Sequence, residues 1–286
     1  MHANLEVSEE GEEGSKKGQF LANNGYAVFP NVFNPGDIEW PEDRPQNWGE
    51  YDTWEKLNER LAEHTAWKAI PNGKYLGDDA GWDGSRGVLL NPAQTPKDRP
   101  VVHHITKQVI KVMQEHVNKH TFAEVDLKAK RSVVAPGTVC HTVIKLAPIR
   151  SKAGCGMQPK HCDFQWRPLA RREGESKIKR MRRIPYSFVI PMHASGATLA
   201  LRPYYTSEYK EVWFPRGAMI LFAGDVVHGG CSYNQDNYRM HGYIKTNEAG
   251  VHQEPSLWDI PDLEMPLPDT RSMYTDWENS RGELKS

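Results

Sequence analysis

From Gln19 onward the apolar residues come in short groups separated by turn formers, and their period changes along the chain. Phe20, Leu21, Tyr26, Val28 and Phe29 lead into Asn31-Val-Phe-Asn-Pro35-Gly36, which predicts a short helix, a strand and a turn. Trp54, Leu57 and Leu61, spaced by three and four, predict an amphipathic helix over 53–65. Gly, Asp, Asn and Pro crowd the stretch from Ala66 to Pro100 and predict irregular loops. A second helix is expected over 102–120, where Ile105, Val109, Val112, Met113 and Val117 fall on one stripe. Beyond it the pattern turns to strands: Ser132–Val134, Val139–Leu146, Tyr186–Met192, Ala197–Arg202, Val212–Phe214, Ala218–Ala223 and Tyr238–Lys245. Many short strands punctuated by turns argue for a barrel or sandwich. The expected fold is mainly β with α: a jelly-roll, cupin-like barrel under an N-terminal helical layer.

Composition adds boundaries to this pattern. Residues 1–18 carry Glu6, Glu9, Glu10, Glu12 and Glu13 with few large apolar side chains and are expected to be a disordered acidic lead. Residues 19–250 then form one domain with its β core at about 132–246. Residues 251–286, with four prolines and eight acids against three bases, form an extension that wraps the core or hangs free. Across 286 residues, 36 Lys+Arg stand against 37 Asp+Glu, so no global charge draws the chain to nucleic acid or an anionic membrane. The N-terminal residues lack the layout of a secretory signal, and no apolar run is long enough to span a bilayer. Cys140, Cys155, Cys162 and Cys231 contain no Cys-x-x-Cys pair and read as reduced thiols. Together these features lead to the expectation of a soluble, intracellular, cytoplasmic protein.

Candidate chemistry lies in three segments. Gln158-Pro-Lys-His161-Cys-Asp163-Phe sets an imidazole and a carboxylate two residues apart, on one face of an extended chain, where they could chelate an ion or form a surface pair. In Phe222-Ala-Gly-Asp225-Val-Val-His228-Gly-Gly230 an apolar strand ends in a turn. The glycines after His228 allow close approach, so this histidine can face a cavity or sit satisfied in the core. Arg239 follows His228 by eleven residues in Asn237-Tyr-Arg239-Met-His241-Gly-Tyr243. Strand alternation puts Asn237, Arg239, His241 and Tyr243 on one face, and such a polar inward row lines a cavity. A guanidinium there calls for a carboxylate or phosphate.

In this order and strand context, His161-x-Asp163, the distal His228 and Arg239 resemble the signature of the non-haem iron(II), 2-oxoglutarate-dependent dioxygenases, whose fold is the double-stranded β-helix. The segment Asn24-Gly-Tyr-Ala-Val-Phe-Pro-Asn-Val-Phe resembles the start of the phytanoyl-CoA-hydroxylase-like branch. The resemblance covers mainly 132–246, with 19–36 beside it. It implies Fe(II) held by the facial triad His161, Asp163 and His228, with three positions left for 2-oxoglutarate and O2. It also implies Arg239 as the anchor of the far carboxylate of 2-oxoglutarate. The implied reaction couples oxidative decarboxylation to hydroxylation, desaturation or oxidative cyclisation at a C–H bond; halogenating relatives lack the carboxylate that Asp163 supplies. Many relatives have Ser or Thr two residues past the arginine, where this chain has His241, which could bind the cosubstrate carboxylate or face the substrate. Thr198 is a further candidate for that carboxylate, besides its role as a strand former.

The basic run from Arg167 to Arg183 follows the proposed iron-binding strand and reads either as a cationic collar or as a solvated loop. Trp166 and Arg167 beside it are candidate substrate contacts. A small polar or anionic molecule is the expected substrate. The alternatives are a nucleic-acid- or protein-modifying oxygenase that uses residues 167–183, and a jelly-roll binding module without turnover. His116 and His120 lack the glutamate of a zinc-protease motif and read as a solvated helix face. His252-x-Glu254 lies beyond the last expected core strand.

Overall fold

The chain enters its fold through a helix capped at both ends. In this computed structural model, which describes residues 15–34, 54–63, 68–69, 86–88, 99–123, 134–135, 137–158, 160–164, 172–248 and 258–259, the Ser15 side chain accepts from the Gly18 N–H at the start of α1 (Lys16–Asn24). Gly25, at φ 77°, ends α1 in the left-handed turn that glycine adopts most easily. A Cβ there would come within 2.7 Å of Val226, so this turn also admits the chain close to the barrel. There follow β1 (Tyr26–Phe29), α2 (Trp54–Glu63), β2 (Lys68–Ala69), β3 (Arg86–Val88), α3 (Arg99–His116), β4 (Thr121–Ala123), β5 (His141–Ser151) and β6 (His161–Cys162). After α4 (Lys177–Met181) come β7 (Tyr186–Pro191), β8 (Ala197–Leu201), β9 (Lys210–Phe214), β10 (Met219–Ala223), β11 (His228–Gly230), β12 (Asn237–Thr246) and β13 (Trp258–Asp259).

These strands form two sheets. The larger runs β1-β10-β7-β12-β5-β3-β2, with β4 parallel to β5; the smaller runs β13-β6-β11-β8-β9. From β5 to β12 the chain crosses repeatedly between them: β5, β7, β10 and β12 lie in one, and β6, β8, β9 and β11 in the other. That alternation is the winding of a double-stranded β-helix. Every residue of β7 and β10 is buried. The stripe Ile105, Val109, Val112, Met113 and Val117 is buried as its spacing requires, and α3 packs against β4 and β5.

Several expected boundaries move. Helix α3 starts at Arg99, within the stretch expected to be loop, and ends at His116. Pro100 in its first turn needs no helical N–H partner. In place of the strand expected at Ser132–Val134, β4 forms at Thr121–Ala123; Val134 lies in a bend, and 132–133 fall outside the described residues. Strand β5 continues past Leu146 to Ser151. Pro148 is tolerated because it lies in the stretch 144–148, which neither β3 nor β4 covers. The stretch 66–100 also contributes β2 and β3. Of residues 1–18, expected to be a disordered lead, 1–14 lie outside the described residues, whereas Ser15 caps α1 and Lys16–Gly18 form its first turn, held by the Ser15 side chain and by the burial of Gly18. In the extension, β13 pairs with β6.

Candidate metal centre

His161 and His228 face one another because β6 and β11 are antiparallel and these two residues are direct partners. Partners in an antiparallel pair project from the same face, which sets the two imidazoles 4.4 Å apart between centroids. Asp163, two residues past His161, returns to that face. The segment after it is pinned: the Phe164 N–H donates to the Gly224 carbonyl at 3.0 Å. The Phe164 ring lies where a side chain at Gly224 would clash, 2.5 Å from an added Cβ.

His161, Asp163 and His228 are buried, and one donor atom from each lies within 4.8 Å of the others. The carboxylate of Asp163 is 2% exposed, with His161 Nε2 3.8 Å from Oδ1 and His228 Nε2 3.6 Å from Oδ2. These gaps exceed a hydrogen bond. They lie just beyond the roughly 3.0–3.5 Å that separates atoms each about 2.1 Å from one metal, so a slight closure brings these donors around a single ion. Asp163 Oδ2 is buried with no hydrogen-bond partner. A buried carboxylate with an unpartnered oxygen is costly and fits a group whose bonding is completed by a cation together with a further donor.

The electrostatics favour the ligating forms. Burial opposes the charge on Asp163, but the attraction of the His228, His241 and His161 imidazoles when they are protonated outweighs it and holds the carboxyl well below the usual range, so it stays ionised after they lose their protons. Burial pushes His228 down to about 4, against the pull of Asp163. His228 Nδ1 lies 3.0 Å from the Val226 carbonyl, which can only accept. Nδ1 therefore carries the proton, and Nε2 presents its lone pair toward Asp163.

On the opposite sheet, Arg239 is 4% exposed, and its Nη1 donates to Ser151 Oγ at 2.8 Å. Its guanidinium lies 5.7 Å from the Tyr233 ring centroid. Among the described residues no carboxylate pairs with it, so the buried cation can receive an anionic group. Ser151 and Tyr233 were not legible in the sequence. Ser151 reaches Arg239 only because β5 and β12 pair in the register Asn237 with Ser151, across a large sequence separation. Thr198 lies behind Tyr233, whose hydroxyl accepts from the Thr198 N–H and donates to its carbonyl, each at 3.2 Å. His241 turns toward the acid of the triad: its Nε2 is 3.7 Å from Asp163 Oδ2.

Much of the described part of the basic run is engaged within the protein. Arg180 pairs with Asp225 at 2.5 Å, and Arg183 pairs with Glu175; both arginines are buried. Arg172 pairs with Glu248 at the exposed edge. Trp166 and Arg167 lie outside the described residues, as do His252 and Glu254. His116 Nδ1 lies 2.7 Å from Ser15 Oγ, and its ring packs 5.0 Å from that of Phe29, so it belongs to the α1–α3 contact rather than to a solvated face.

No protein-family model and no curated protein matches the chain. Similar solved structures include a prolyl hydroxylase from Trichoplax adhaerens in complex with a hypoxia inducible factor peptide fragment, at 8% identity and TM-score 0.48, covering 80% of this chain and 86% of that one. Another is HygX from Streptomyces hygroscopicus with nickel and 2-oxoglutarate bound, at 9% identity and TM-score 0.47, covering 81% of this chain and 87% of that one. A Pseudomonas putida prolyl-4-hydroxylase is similar at 12% identity and TM-score 0.42, covering 80% of this chain and 96% of that one.

Proposed function

We propose that the protein is an Fe(II)- and 2-oxoglutarate-dependent oxygenase acting on a C–H bond of a small polar or anionic molecule. One observation carries the reading: a buried His-Asp-His group with an unpartnered carboxylate oxygen lies against His241 of β12, two residues along the same strand face from a buried arginine that has no carboxylate partner among the described residues. The first suits a divalent ion with open positions; the second suits the remote carboxylate of a dicarboxylic oxo acid.

In this reading His161, Asp163 and His228 hold the ion. Arg239, steadied by Ser151 and Tyr233, binds the far carboxylate and so directs the other end of the oxo acid at the metal. Bound iron would supply the oxidising chemistry by which 2-oxoglutarate and O2 give succinate and CO2, one oxygen atom ending in succinate and the other either in the substrate or in water with two of the substrate's hydrogens. The apolar walls around the site, Phe222 beside His228 and Phe164 beside Tyr243, restrict bulk water. Ion pairs take up Arg172, Arg180 and Arg183, which supports a small substrate over a nucleic acid drawn by the basic run.

The test is a screen of metabolite pools for substrate-dependent succinate release, followed by product mass. A gain of one oxygen identifies hydroxylation, and a loss of two hydrogens identifies desaturation or cyclisation. A protein that binds metal yet yields no succinate with any pool is a binding module.

A further inference from the structure

His241 occupies a polar position on the site face that neither the metal triad nor the carboxylate anchor requires. Its register partners are Val189 on β7 and Ala147 on β5, and neither side chain can hydrogen-bond. Tyr243 meets its ring edge-on at 4.7 Å and 88°. The side chain is 13% exposed, and its Nε2 stands 3.7 Å from Asp163 Oδ2, the carboxylate oxygen that has no hydrogen-bond partner. Meanwhile Ser151, not His241, touches Arg239. The hydroxyl beside the arginine therefore comes from the adjacent strand, and His241 is left facing the acid.

We propose that His241 is a positioning residue that keeps Asp163 bound to the metal through one oxygen, by offering Nε2–H to the other. The inference rests on reading the site as an iron and 2-oxoglutarate site. The reason is a count of positions. In a six-coordinate ion, two imidazoles and one carboxylate oxygen leave three positions: two for the oxo acid's chelating oxygens and one for O2. If Asp163 binds through both oxygens, the oxo acid fills what remains and O2 has no place. Ligating carboxylates are commonly fixed by an outer hydrogen bond, and here the group aimed at the second oxygen is an imidazole from the facing sheet.

The test uses the full chain loaded anaerobically with Fe(II). Wild type, His241→Leu, His241→Ala and His241→Gln are titrated with 2-oxoglutarate, following the visible charge-transfer band. Nitric oxide, which takes the position O2 would take, is then added, and the S = 3/2 electron paramagnetic resonance signal is measured. In His241→Leu and His241→Ala the band and the 2-oxoglutarate dissociation constant should stay within about threefold of wild type, while the nitric oxide signal falls about tenfold, the scale of one hydrogen bond to a charged group. His241→Gln, which can still donate, should restore most of the signal.

An unchanged nitric oxide signal in both donorless variants overturns the proposal. So does a rise of tenfold or more in the 2-oxoglutarate dissociation constant, which makes His241 a cosubstrate contact, or a loss of Fe(II) binding, which makes it a ligand. A wild-type protein that gives no band overturns the underlying reading, and this one with it.

Discussion

Histidines do two different jobs in this protein. His161 and His228 aim Nε2 at a shared carboxylate, whereas His141 is a fixed piece of the core. Its Nε2 donates to the Ile184 carbonyl at 2.8 Å, so its Nδ1 accepts from Asn118 at 3.1 Å. Burial pushes the His141 imidazole from 6.5 down to about 4, and does the same to His228. Between those two values the unfolded chain binds protons that the folded chain does not. Stability is therefore full above the unfolded value and is lost as pH falls toward about 4. The metal-free protein should show a urea midpoint that drops from pH 7 to pH 5. His141→Gln should lower stability at pH 7 by about 1–3 kcal/mol, through a lost or strained buried hydrogen bond, and should flatten the pH dependence. A variant with the wild-type slope would remove His141 from this role.

At the scale of elements, the turn between β10 and β11 is the joint on which His228 depends. Its Asp225 carboxylate accepts from Arg180 on α4 at 2.5 Å and from the Tyr204 hydroxyl at 2.6 Å, and its carbonyl accepts from the Cys162 thiol at 3.3 Å. Cys162 sits between two of the proposed ligands, so one residue ties α4, β6 and the approach to β11 together. Arg180→Ala would strand a buried carboxylate. It should cost about 3–5 kcal/mol in urea unfolding, with Arg180→Lys recovering only part. A loss below about 1 kcal/mol would contradict the clamp. This joint also shows why sequence reading stopped where it did. Strand β12 was legible because ten residues of alternation are long enough to show a period. Strands β6 and β11, with two and three residues, have no period and exist through their pairing with neighbours. Helix α4 was hidden in a run that read as a charged loop, because its one arginine, Arg180, finds its acid, Asp225, only in three dimensions.

Across the whole molecule, the winding of the two sheets brings together residues far apart in the chain. The motif residues His161, Asp163, His228 and Arg239 could be picked out from spacing and type. The partners of Arg239 could not: Ser151 and Tyr233 have ordinary local sequence and meet it only in three dimensions. The near balance of charge is likewise partly internal, since Arg180–Asp225 and Arg183–Glu175 neutralise one another inside the fold. In the extension, the described residues Trp258–Asp259 lie against the core, where β13 adds to the edge of β6 with Asp259 opposite His161. Among the described residues no helix is long and apolar enough to cross a membrane. The central claim, that the triad and Arg239 form one site for iron and 2-oxoglutarate, is tested most directly by anaerobic titration of Fe(II)-loaded protein with 2-oxoglutarate. A saturable visible charge-transfer band should appear, and Arg239→Ala should weaken 2-oxoglutarate binding roughly 10- to 100-fold, as expected for losing a charge-assisted pair. Absence of the band in the wild type, or a band indifferent to Arg239→Ala, would contradict it.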